Sequence, residues 1–128
     1  MLHILLHLDE IDEPVTSERM GEMFGMDASL VRRTMGGLRK HGLVASIKGH
    51  GGGWHLKRST VEISLLEVYT ALGSPNVFAI GAPEPSSRCL LEHAATDATR
   101  AALETARRLF EEELKGVSVA DLASRVKT

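Results

Sequence analysis

Apolar positions along this chain repeat first with a helical period, then briefly with that of a strand pair, then with a helical period again. Leu2, Ile4, Leu5, Leu6 and Leu8 form a helical apolar face at the start of the 128-residue sequence. An acidic loop, Asp9-Glu10-Ile11-Asp12-Glu13, ends at Pro14. Thr16 is placed to cap a second helix, with Glu18 in its first turn, where the helix dipole favours an anion. Met20, Met23 and Phe24 are spaced to share one apolar face, and Gly25 stops the helix. Asp27 caps a third helix that runs to His41 and stops at Gly42. Val31, Met35 and Leu38 fall on its inward side; Ser29, Arg32, Arg33, Gly36 and Arg39 fall elsewhere. Helix, glycine turn, helix is the helix-turn-helix layout. The Gly36-Gly37 pair costs such a helix about 1 kcal/mol per glycine. Close approach to another backbone or to a nucleic acid explains it as well as plain tolerance does.

Two short apolar runs follow, Leu43 to Ile47 and Trp54 to Leu56, around Lys48-Gly49-His50-Gly51-Gly52-Gly53. Glycine accepts positive φ freely, so this is a hairpin tip. Taken alone, residues 47–56 read equally as a solvated surface hairpin or as the wing of a winged helix. Ser64 and Glu67 then form a capping box for a helix through Leu65, Leu66, Val68, Tyr69 and Leu72, ended by Gly73-Ser74-Pro75. Proline and glycine between 73 and 87 predict a connecting loop.

Nothing breaks a helix from Arg88 to Leu114, where Ala94, Ala98, Ala102, Ala106, Phe110 and Leu114 recur every four residues. Such a helix would span roughly 37 Å, too long to bury on one small domain. It either pairs with a second copy through its small-residue stripe or folds back on its own domain. Gly116 ends it, and Ser118 with Asp121 opens a short helix to Val126. The expected fold is mainly α with a small β-hairpin: a winged helix-turn-helix DNA-binding domain over 1–72, a loop over 73–87, and a dimerisation helix with a short C-terminal helix over 88–128.

Charge sharpens the picture. The net charge is −2, but residues 28–58 hold seven Lys and Arg and no acid, whereas residues 1–27 hold one Arg against seven acids. A basic block inside an acidic chain suits a polyanion such as double-stranded DNA. Ser29, Arg32 and Arg33 lie in the first two turns of the third helix, the part of a recognition helix that meets base edges. Arg39, Lys40 and Lys48 suit phosphate contacts; His50 and the amides of Gly51, Gly52 and Gly53 suit a phosphate or the minor groove. The competing reading is arginines on a solvated helix face.

Leu38-Arg39-Lys40-His41-Gly42-Leu43-Val44, followed by Lys48-Gly49-His50-Gly51-Gly52-Gly53-Trp54, resembles the helix end and wing of the Rrf-two family of bacterial winged-helix transcription regulators. Glu62-Ile63-Ser64-Leu65-Leu66-Glu67-Val68 resembles the helix after the wing in that family. Asn76-Val77-Phe78-Ala79-Ile80 and Cys89 resemble its cluster-free branch. The likeness covers most of residues 15–115. It favours a homodimer formed through helix 88–114; such a dimer would act as a repressor that reads a pseudo-palindromic operator with helix 27–41 and wing 47–56, and the lone Cys89 suits a reducing cytoplasm. His50 stands where many members have proline, and the first helix lacks their opening turns, so a shortened or misassigned start is expected.

Cluster-bearing members place three cysteines in the loop and the start of the long helix; this chain has only Cys89. No iron–sulfur cluster, other cofactor or metal is therefore expected. Cys89 sits beside Arg88 at an expected helix start, surroundings that favour a thiolate and make it a redox-sensing candidate; a structural thiol is the plainer reading. No run reaches the roughly 18 apolar residues of a membrane span. The glycine run precedes no helix, which excludes a nucleotide loop, and no nucleophile–base pair suggests an enzyme. The remaining alternative is a protein-interaction module that keeps the winged fold without specific DNA binding.

Overall fold

Residues 2–76 and 88–126 are described by the structure, a computed structural model. Helix α1 (Leu2–Glu10) buries Ile4, Leu5 and Leu8, the side its apolar pattern marks. Helix α2 (Ser17–Phe24) starts where the Thr16 hydroxyl accepts the Arg19 N–H at 3.2 Å and stops at Gly25, in the left-handed region. Its apolar face is narrower than the sequence suggests. Met20 is buried and Phe24 half-buried, but Met23, about 100° around the helix from Phe24, is 42% exposed. Helix α3 (Ala28–Lys40) is capped by Asp27, which accepts the Ser29 N–H at 2.8 Å, and it buries Val31, Met35 and Leu38 completely.

Strands β1 (Val44–Ile47) and β2 (Gly53–Leu56) pair antiparallel, Val44 opposite Leu56 and Ile47 opposite Gly53. Val15, entering α2, bridges the other edge of β2 by exchanging backbone hydrogen bonds of 2.9 and 2.8 Å with Trp54. Helix α4 (Leu65–Ala71) carries the full Ser64–Glu67 capping box. Gly37 faces it: an added Cβ would stand 3.0 Å from the Ala71 carbonyl oxygen, so close helix approach accounts for that glycine.

Helix α5 (Leu90–Lys115) is one unbroken run of 26 residues. Its end meets α4, where Phe110 packs edge-on against Tyr69 at 5.7 Å. Along its first half Leu90 and Leu91 are 85% and 78% exposed and Ala94, Ala98 and Ala102 are exposed too, while Thr96 is buried. Helix α6 (Val119–Val126), opened by reciprocal Ser118–Asp121 bonds, returns to α1 and places Val119 in the common core. The 60–65 segment holds it there, through Val119 N–H to Ile63 and Leu65 N–H to Val117, both 2.8 Å. The family-like Val77–Ile80 stretch and most of the expected loop lie outside the described residues.

Three capping carboxylates make the fold acid-sensitive. The Ser29 N–H holds Asp27 below its ordinary value of 3.8, and the Ser118 N–H does the same for Asp121. Burial pushes Glu67 up, but hydrogen bonds from Arg58 and the Ser64 N–H outweigh it and leave it below 4.5. A carboxyl with a lowered folded pKa stabilises fully above its unfolded value and loses that contribution as pH falls through the folded one. Thermal midpoints should therefore hold above pH 4.5 and drop in more acidic buffer. Asp27→Asn, which keeps a capping oxygen and removes the titration, should flatten that acid limb. Ser64→Ala should cost about 1 kcal/mol, seen as a lower urea midpoint at unchanged slope.

Candidate nucleic-acid interface

The exposed side of α3 is one stripe. Ser29, Arg33, Gly36 and Lys40 recur at i, i+4, i+7 and i+11, and so share a face. An added Cβ at Gly36 meets nothing within 4 Å, which leaves the helix backbone open to a close-lying ligand. Arg33 and Lys40 are exposed and make no ion pair among the described residues.

Arg32 sits differently. Its guanidinium donates to the Glu18 carboxylate on α2 at 3.1 Å, with both side chains more than half exposed. Such a surface pair is worth little and can be exchanged for a phosphate or a base edge. Arg32 and Glu18 also line a cleft of about 320 Å³ together with Ser17, Gly49, Gly52 and Trp54. The start of α2, one edge of α3 and the wing therefore open on one space.

The wing reaches out through exposed Lys48, Gly49, His50 and Gly51. Its glycines are not equivalent. The Gly52 amide donates to the Gly49 carbonyl at 3.1 Å and is spent in closing the turn, so it is not the phosphate donor the sequence suggests. Gly53 is the wing's root, opposite Ile47 and pressed against the Val15 backbone, and is not part of the tip. Arg39 also departs from expectation: its guanidinium carbon lies 5.8 Å from the centre of the Trp54 ring.

Not all of the basic block belongs to this surface. Arg58 donates to Glu67 at 2.5 Å and to the Glu62 carbonyl at 2.9 Å, which ties the strand exit to α4. Glu18 and Ser17 line the cleft beside the wing, and sequence reasoning missed both. The start of α2 beside the wing is a tertiary arrangement, and the only local signal for either residue is the Thr16 cap.

Cys89 is the N-cap of α5, with an exposed thiol and no side-chain capping bond. Among the described residues, no three His, Cys, Asp or Glu side chains are grouped to hold a metal ion.

A helix pair with an exposed basic stripe, flanked by a basic glycine wing, defines the winged helix-turn-helix class. Residues 1–125 match the Rrf2 family, described as iron-dependent transcriptional regulators, and the chain belongs to that family. It is similar to the HTH-type transcriptional regulator YwnA of Bacillus subtilis, 29% identical over 125 residues, which cover 98% of this chain and 92% of that one. It is also similar to the HTH-type regulator IscR of Serratia proteamaculans, 39% identical over 72 residues, or 56% of this chain and 43% of that one. The match thus spans under half the length of that IscR. A solved structure from Lactobacillus plantarum, described as a transcriptional regulator, superposes with a TM-score of 0.82 at 20% identity, over 98% of this chain and 86% of that one. These relatives are regulators, not enzymes. No helix among the described residues is long and apolar enough to cross a membrane.

Proposed function

We propose that this chain is a cytoplasmic repressor that binds a pseudo-palindromic operator as a homodimer. Residues 1–72 act as the DNA-binding unit and helix 88–114 as the pairing element. The observation that carries the reading is the open Ser29–Arg33–Gly36–Lys40 face beside the wing, in a stretch free of acids from 28 to 58. Arg33 reads base edges directly. Arg32 joins it by leaving Glu18. Lys40, Lys48, His50 and the Gly51 amide hold phosphates.

The test is selection of bound genomic fragments with purified protein, followed by gel shifts against the recovered fragment and a random-sequence duplex at stated salt. Replacing Arg32 and Arg33 together by alanine should lower the ratio of fragment to random binding by roughly tenfold or more, the worth of one good base contact. Lys48→Ala should weaken both similarly and reduce the salt slope by about 0.9. No enrichment of any fragment would favour the protein-interaction module instead. The same selection with oxidised protein tests Cys89 as a sensor. A Cys89 that reacts with iodoacetamide no faster than an unfolded peptide thiol rules out redox sensing at this position.

A further inference from the structure

We propose that Trp54 is a clamp that sets the wing against the recognition helix, and that Arg39 acts through it as a positioning residue instead of touching DNA. This rests on the DNA-binding reading above and assigns Arg39 a different role within it.

A two-stranded hairpin of four-residue strands is marginal by itself and needs an anchor. Trp54 provides one in three directions. Its backbone exchanges two hydrogen bonds with Val15, at 2.8 and 2.9 Å. Its indole N–H donates to the hydroxyl of buried Ser17, in the first turn of α2, at 2.9 Å. Its ring lies under the Arg39 guanidinium, from the last turn of α3, at 5.8 Å, within the range of a cation–π contact. The side chain that roots the wing is 9% exposed and touches both helices of the helix-turn-helix. For Arg39 to reach a phosphate it would have to uncover that ring. Its neighbour Lys40 needs no such move, because it already stands on the open stripe. Arg39 and Lys40 therefore divide the work: one fixes the wing, the other meets the polyanion.

Trp54 is the sole tryptophan of the chain, so its emission reports the clamp directly. In free protein, Arg39→Ala and Ser17→Ala should each shift that emission to the red and make it more easily quenched by acrylamide. On a random-sequence duplex, Arg39→Ala should leave the salt slope of binding unchanged, whereas Lys48→Ala lowers it by about 0.9. The ratio of selected fragment to random duplex should fall for Arg39→Ala by roughly two- to fivefold, the size of an exposed cation–π contact. A fall in salt slope matching that of Lys48→Ala would make Arg39 a phosphate contact and overturn the proposal. Unchanged quenching in both variants would overturn it too. If the unaltered chain binds no duplex at all, it is the functional reading that fails, and the quenching result alone then decides the clamp.

Discussion

Gly53→Ala is expected to unseat the wing and abolish high-affinity DNA binding, with a loss of stability that a urea melt reads easily. Gly53 has φ +146°, where an L side chain is strained; such backbone costs about 1–3 kcal/mol before any clash is counted. The clash is with main chain: the new Cβ would stand 2.6 Å from the Val15 carbonyl carbon and 2.9 Å from the Thr16 nitrogen. Neither can move without breaking the Val15–Trp54 rung and pulling Thr16 from its cap on α2. The fault therefore spreads from the wing's root into the helix pair. Gly51→Ala is the matched control. It also has positive φ, +73°, but its Cβ meets nothing within 4 Å, so it should cost only about 1–2 kcal/mol and leave the root intact. Equal stability for Gly53→Ala and the unaltered chain would mean that β2 is not docked on Val15 in solution.

The contrast between those two glycines separates what the sequence reveals from what it hides. Caps are legible because donor and acceptor lie within three residues: Thr16, Asp27, Ser64 and Ser118 all start helices as read, and the inward set Val31, Met35 and Leu38 is fully buried. The hairpin and its glycine tip are legible for the same local reason. The tertiary partners are not. Arg32 meets Glu18 across 14 positions, Trp54 meets Ser17 across 37, and Thr60 meets Asp9 across 51. No periodicity encodes such pairs. Charge counting alone made Arg39 and Arg58 look like equals of Arg33 and Lys48. Packing separates them: one arginine covers an indole and the other pairs with a capping glutamate, while Arg33 and Lys48 stay on the open surface. The return of α6 to α1 is hidden likewise, since a short amphipathic helix carries no mark of which surface it covers.

In the homodimer proposed above, Ala98→Asp is expected to split a particle of twice the 13.9 kDa chain mass into folded single chains. Ala98 is exposed on one chain, seven positions after exposed Leu91, so the substitution costs a lone molecule only the helix propensity of Asp against Ala, about 0.7 kcal/mol. In a pair of crossed α5 helices, small side chains let the axes approach to about 8–10 Å, and an unpaired carboxylate from each chain would be forced into that seam. Sedimentation would register the change in mass, and circular dichroism should show the helix content intact. The effect on DNA should be larger than on folding. A dimer that has engaged one half-site presents its second recognition helix to the other at high effective concentration, a gain of about 10²–10⁴ in affinity without any new contact. Ala98→Asp forfeits that gain on the operator while keeping the weak binding of one unit to random duplex. Its operator affinity should therefore collapse toward its random-duplex affinity, although no DNA-facing residue has changed. A variant that sediments as one chain yet holds the operator as tightly as before would show that helix 88–114 does not couple the two half-sites.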